Sequence, residues 1–151
     1  MRKIEDLNLL GVKTIAYKPP LNDFERKIYC TLKNNKLNFK TNFPIKGKTK
    51  LCVVDFCIFK NNKPAVVLEV KQTMTKNNRR RYDILKQLAI KIDHVARNIK
   101  LNNPNLKFIA ILSSKNEPIN HLSIPLCNEF IDTDKVFCNE NEAISYIKSL
   151  M

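Results

Sequence analysis

The sequence has no tryptophan, two glycines in 151 residues, and 14 Asp+Glu against 27 Lys+Arg. Without tryptophan or a cluster of aromatics, nothing suggests a stacking platform for single-stranded nucleic acid. Turns must be set by Asn, Lys and the seven prolines, and neither an internal repeat nor a low-complexity tract occurs. No run approaches the roughly 18 to 20 apolar residues of a membrane helix. The opening MRKIEDLNLLGVK places acids where a signal peptide has an unbroken apolar region, so a soluble, intracellular chain (cytoplasm or nucleoid) is expected. The five cysteines, Cys30, Cys52, Cys57, Cys127 and Cys138, are odd in number, with no C-x-x-C pair and no paired histidines. That pattern disfavours both zinc and a disulfide framework, and predicts buried, reduced thiols.

What is abundant is positive charge, at a formal net of +13. Residues 117–151 hold two bases and six acids, so the rest of the chain is more basic than the average suggests. Such a body favours a polyanionic partner, with nucleic acid first. The competing explanation is a Lys- and Asn-rich compositional bias that makes every surface basic. At this length one domain is expected, burying roughly 70% of the surface its unfolded chain exposes.

Hydrophobic periodicity divides the chain. After Pro19 and Pro20, Asn22 or Asp23 caps a helix in which Phe24, Ile28 and Leu32 recur, ending near Asn34. LNFKTNFPI then alternates, predicting a half-buried strand with Leu37, Phe39, Thr41, Phe43 and Ile45 on one face. LCVVDFCIF (Leu51 to Phe59) and AVVLEVK (Ala65 to Lys71) read as buried strands joined by the turn KNNKP. Leu85, Leu88, Ile92, Val95 and Ile99 mark a long amphipathic helix that Asn102 to Asn105 stops. LKFIAILS (Leu106 to Ser113) is a buried strand, expected to lie parallel to an earlier one. The order is αβββαβ, an α/β fold with a mixed sheet flanked by helices. Residues 114–138 are ambiguous up to a short strand at Asp134 to Phe137. A final capped helix turns Ala143, Ile144, Ile147 and Leu150 inward.

Two of these strands carry charge where charge is costly. Asp55 is the only charge in LCVVDFCIF and Glu69 the first in AVVLEVK. An unpaired buried carboxylate is expensive, so something must compensate it. Glu69 and Lys71 share a face by strand periodicity, and a hairpin sets Asp55 beside Glu69. Two carboxylates and an ammonium then converge. Such oxygen ligands suit a hard cation such as Mg²⁺, and a neighbouring ammonium can orient an attacking water or offset developing charge. The alternative is that Asp55 ends a strand while Glu69 and Lys71 form an exposed cross-strand pair.

Asp55, followed after thirteen residues by Glu69-Val70-Lys71, resembles the PD-(D/E)XK nucleases, and αβββαβ is that superfamily's restriction-endonuclease-like core. FERKIYCTLKNNKLNFKTNFPI with VDFCIFKNNKPAVVLEVK is also similar to small very-short-patch-repair-like endonuclease domains and to the N-terminal nuclease domains of type I restriction subunits. Val54 stands where the family name has proline. The repair-type relatives carry Asp and His where this chain has Glu69 and Lys71, so only the generic metal mechanism is implied. The Gln and Tyr helix motif of the recombination-type exonucleases does not appear at the right spacing after Gln87.

The resemblance implies a single nuclease domain over 1–151, with its core at about 22–113 and an extension over 114–151. It implies Mg²⁺, with Mn²⁺ able to substitute, held by Asp55, Glu69 and the Val70 carbonyl, with Lys71 handling the water. Glu25 has two readings, a further acidic ligand on the first helix or a capping-box residue. The implied activity is site-specific or structure-specific DNA cleavage of restriction, homing, junction-resolving or repair type. One catalytic centre per chain implies a homodimer or higher oligomer for cutting both strands.

Arg79, Arg80 and Arg81 open the long helix, where cations oppose the macrodipole. They read as phosphate clamps or as a solvated basic loop. Lys46, Lys48 and Lys50 have the same two readings. His94, His121 and Tyr82 are expected to be structural or surface residues. The rivals to a nuclease are a catalytically silent nucleic-acid-binding module on the same fold and an interaction domain whose charge is compositional.

Overall fold

The structure, a computed structural model, describes residues 21–73, 78–114 and 129–151. Asn22 caps the first helix, α1 (Asp23–Asn34), and Ile28 and Leu32 are its buried stripe. The strands β1 (Phe39–Lys46), β2 (Leu51–Lys60) and β3 (Lys63–Thr73) follow. Then come the helix α2 (Asn78–Asn102), the strands β4 (Lys107–Ser114) and β5 (Lys135–Phe137), and the helix α3 (Glu140–Leu150). The described residues form one α/β domain, opening in the order αβββαβ.

The five strands lie in the order β1-β2-β3-β4-β5. β1, β2 and β3 form an antiparallel meander, while β4 runs parallel to β3 and β5 parallel to β4, so the sheet is mixed. The β2–β3 turn is tight because Asn61 and Asn62 both take left-handed backbone angles (φ 54° and 63°). Asparagine tolerates that region better than other non-glycine residues, and two successive such residues match the twist of a two-residue hairpin.

Two apolar clusters cover the two faces of the sheet. Leu85, Ala89, Ile92, Ala96 and Ile99 of α2 pack with Val54, Cys57, Val67 and Phe108 on one face. On the other, Ile28 and Leu32 of α1 and Ala143, Ile144 and Ile147 of α3 pack with Phe56, Leu68, Val70 and Ile111. Among the described residues no helix is long and apolar enough to cross a membrane.

The expectation that Leu37, Phe39, Thr41, Phe43 and Ile45 share one face does not hold. Leu37 and Phe39 pack with α1 and α3, whereas Ile45 and Phe43 pack with α2. The cause is Asn42, whose left-handed φ of 47° interrupts the alternation. β2 changes face on the same rung, since Cys52 and Val54 belong to the α2 cluster and Phe56 and Ile58 to the other. The register is kept, with Thr41 facing Phe56 and Phe43 facing Val54, so Asn42 stands opposite Asp55.

Beyond that rung the β1–β2 turn docks on α2. Asn98 accepts from the backbone N–H and hydroxyl of Thr49 (2.9 and 2.8 Å) and donates to the Lys50 carbonyl (3.2 Å). A Cβ on Gly47 would collide with the Asn98 amide and lie 2.9 Å from the Lys50 carbonyl, so this approach requires glycine.

Three acids of the C-terminal segment are used internally. Lys86 pairs with Glu129 (3.8 Å), Arg97 with Asp132 (2.8 Å) and Lys100 with Asp134 (2.6 Å). Asp93, buried on α2, accepts at one oxygen from the backbone N–H groups of Ile131, Asp132 and Thr133 and from the Thr133 hydroxyl.

The uniform burial expected of the thiols is corrected by the helix surface. Cys52 and Cys57 are buried, but Cys30 is exposed on α1 and Cys138 half-buried. Cys30 falls outside the apolar stripe of Ile28 and Leu32, so packing does not cover it. Burial pushes the Cys57 thiol up to about 12, against a smaller opposing effect of Lys40, which faces it across the β1–β2 pair. Cys127 and His121 lie outside the described residues, His94 is exposed, and Tyr82 packs against the α2 cluster.

Candidate active site

The β2–β3 register runs from Lys60 facing Lys63 to Phe56 facing Leu68. One step further, where Asp55 and Glu69 would face each other, the two carboxylates bridge the seam. Glu69 Oε1 accepts from the Asp55 N–H at 2.7 Å, and Asp55 Oδ2 accepts from the Val70 N–H at 2.9 Å. A residue's N–H and C=O point to the same side of an extended strand, so the Val70 carbonyl also faces this seam.

Lys71 completes the group. Its Nζ lies 3.9 Å from Glu69 Oε2 and 4.0 Å from Asp55 Oδ2. Val66, Leu68 and Val70 pack on the α1/α3 side and Val67 on the α2 side, so alternation sets Glu69 and Lys71 on the α2 side. Asp55 is fully buried and Glu69 is 7% exposed, while the Lys71 side chain is 36% exposed. The constellation therefore opens to solvent at the ammonium.

Glu25 is 9% exposed and its side chain closes the capping box of α1, Oε1 accepting from the Asn22 N–H at 3.2 Å. Among the described residues no group of three or more His, Cys, Asp or Glu side chains is placed to hold a metal. Glu25 Oε1 is engaged in that cap, and among the described residues Glu25 is not grouped with Asp55 and Glu69. Its placement is explained by the helix N-terminus, whose unpaired N–H groups need acceptors.

The basic residues divide into two patches. Arg79, Arg80 and Arg81 lie in the first turns of α2, and Arg80 is exposed; the other two side chains lie outside the described set. Lys46, Lys48 and Lys50 are all exposed on the turn that Asn98 holds. Eighteen residues of helix separate Arg80 from Asn98, about 27 Å at the α-helical rise. These patches sit toward opposite ends of α2 and do not form one clamp.

Two buried polar residues on the strands flanking or carrying the carboxylates were not singled out from sequence. Asn42 Oδ1 and Thr73 Oγ1 are buried without a hydrogen-bond partner. Asn42 occupies the rung of Asp55, and Thr73 follows Glu69 and Lys71 by strand alternation. In the sequence Asn42 looks like an outward polar residue of an alternating strand; only its left-handed backbone sets it apart.

The oxygen-only donor set, two carboxylates and a main-chain carbonyl without His or Cys, fits a hard divalent cation better than zinc. The orphaned acceptor of Asn42 on the same rung agrees with a site that needs further polar occupants.

No family model matches the chain, and no curated protein matches it in sequence. Among solved structures it is similar to the crystal structure of AF1548, a protein of unknown function, with a TM-score of 0.41 and 6% identity. That match covers 82% of this chain and 53% of the other, so the chain spans about half the length of that protein. A likeness this loose carries no argument about activity.

Proposed function

We propose that the chain is a Mg²⁺-dependent DNA endonuclease of the PD-(D/E)XK type, with Mn²⁺ able to replace Mg²⁺. The observation that carries this reading is the convergence of Asp55, Glu69 and Lys71 where the β2–β3 ladder opens. Asp55, Glu69 and the Val70 carbonyl would hold the cation. When bound, a divalent cation acidifies water and offsets phosphate charge.

The chain's own groups have distinct tasks. The Val70 N–H fixes Asp55, and the Asp55 N–H fixes Glu69, so both carboxylates keep their orientation without relying on mobile side chains. Lys71, half open to solvent, supplies a positive charge beside the attacking water and the scissile phosphate. Glu25 stays with its helix cap and has no part in this assignment.

DNA as partner is supported by the exposed cations. Glu129, Asp132 and Asp134 of the C-terminal segment pair with α2, while Arg80 and Lys46, Lys48 and Lys50 of the β1–β2 turn are exposed where phosphates could reach them. Cutting both strands at one site calls for two copies, so a homodimer or larger symmetric assembly belongs to this reading.

The test is to incubate wild type and Glu69→Gln with large genomic DNA, with Mg²⁺ or Mn²⁺ and then with chelator, and to sequence new ends. Cation-dependent ends made by wild type, and reduced about 100-fold or more in Glu69→Gln, are the expected result. Salt-sensitive DNA binding without cleavage on genomic, junction and mismatched substrates would overturn it in favour of a silent binding module.

A further inference from the structure

Asn42 stands out because its side chain and its backbone pose different requirements. Its φ of 47° favours glycine, asparagine or aspartate, and glycine meets that need at lowest steric cost. Yet the position carries an amide that is 7% exposed, with an acceptor oxygen that bonds nothing. An unsatisfied buried acceptor costs about 1 to 3 kcal/mol, a cost glycine would avoid. The backbone explains which residues are tolerated here, and not why the amide is present.

Its position supplies a reason. Thr41 faces Phe56 and Phe43 faces Val54, so Asn42 is on the Asp55 rung, where both strands change face. A small hard cation held by two carboxylates keeps several of its waters. Those waters present their lone pairs to the cation and their hydrogens outward, so each needs an acceptor. Lys71 has none to offer, because an ammonium only donates. A neutral amide oxygen accepts such a hydrogen without adding a further negative charge to a buried pair of carboxylates.

We infer that Asn42 is a positioning residue whose Oδ1 accepts a hydrogen bond from water in the shell of a divalent cation held by Asp55 and Glu69. This rests on the metal reading proposed above and adds to it a residue on a third strand. Asn42 orders the water; it does not hold the cation itself.

The test is calorimetric titration of the full chain with Mn²⁺, without DNA, for wild type, Asn42→Gly, Asn42→Asp and Glu69→Gln, with melting curves in chelator alongside. Asn42→Gly keeps the left-handed backbone and removes the amide. It is expected to melt in chelator at or above the wild-type temperature and to bind Mn²⁺ about 10-fold more weakly, the usual loss when an outer partner is removed. Asn42→Asp keeps the acceptor and is expected to bind at least as tightly as wild type.

Unchanged Mn²⁺ affinity in Asn42→Gly overturns the inference and leaves the metal reading intact. So does a lowered melting temperature in chelator with unchanged affinity, which marks a purely structural role. If Asn42→Gly does not fold, weakened binding by a folded Asn42→Asp overturns it. A wild-type chain that binds no Mn²⁺, or binds it equally well as Glu69→Gln, overturns the metal reading and this inference with it.

Discussion

Asp55 and Glu69 each bond the other's strand: the Asp55 N–H donates to Glu69 Oε1 at 2.7 Å, and the Val70 N–H donates to Asp55 Oδ2 at 2.9 Å. The carboxylates thus replace ladder bonds that the strands give up at this rung. Two acids can occupy the middle of a sheet because backbone donors and one lysine meet the cost of burying them.

Lys71 should be the most sensitive member of that balance. Lys71→Met removes an ammonium from beside two neighbouring carboxylates and is expected to lower stability by about 1 to 2 kcal/mol, moderated by the exposure of the lysine. Denaturant melts in chelator measure the loss. Adding Mg²⁺ should recover more stability in Lys71→Met than in wild type, because the cation no longer competes with an ammonium.

Asp93 should matter to stability and not to chemistry. Its buried oxygen gathers three backbone N–H groups and the Thr133 hydroxyl, which fixes the segment ahead of β5 on α2. Asp93→Ala is expected to cost about 3 kcal/mol by urea unfolding. Cation affinity measured on the folded fraction should be unchanged.

The cysteines predict a pH dependence. The Cys57 thiol is raised from 9.0 to about 12 in the fold by burial, so above pH 9 the unfolded chain loses a proton that the folded chain keeps. Its contribution is therefore full below the unfolded value and is lost as pH rises, at about 1.4 kcal/mol per pH unit between the two values. Cys57→Ala should flatten the alkaline limb of the stability curve relative to wild type. In the native state at neutral pH, a thiol reagent should label exposed Cys30 quickly, and Cys52 and Cys57 only on unfolding.

The Gly47 and Asn98 contact gives a paired prediction. Gly47→Ala sets a methyl against the Asn98 amide, and Asn98→Ala removes three hydrogen bonds to the turn. Each is expected to destabilise by about 2 kcal/mol. The double variant should cost less than the two single changes together, because the clash requires the amide; a double-mutant cycle measures this coupling.

Much of the architecture was legible along the chain. The repeat of Leu85, Leu88, Ile92, Val95 and Ile99 marks α2, and KNNKP marks the β2–β3 turn, because helix and hairpin geometry impose local periodicities and turn chemistry. The pairing of Asp55 with Glu69 and Lys71 was also legible: a hairpin of two apolar strands, each carrying a lone acid, leaves those acids few places but beside each other.

Other features depend on neighbours that local pattern does not name. An alternating run says nothing of a left-handed residue within it, so the change of face at Asn42 is hidden until β2 is seen to change with it. Glu25 fits a capping box and a ligand set equally well from spacing, and only the folded chain shows its bond to Asn22 and so the capping box. The net charge of +13 is a property of composition, but its distribution depends on folding. The acids ahead of β5 pair with Lys86, Arg97 and Lys100, while Arg80 and the Lys46–Lys50 turn come to lie toward opposite ends of one helix. Periodicity arises from each residue's own backbone geometry and is readable in order; a site arises from contacts between residues far apart in the chain, which the packing of the sheet and helices alone brings together.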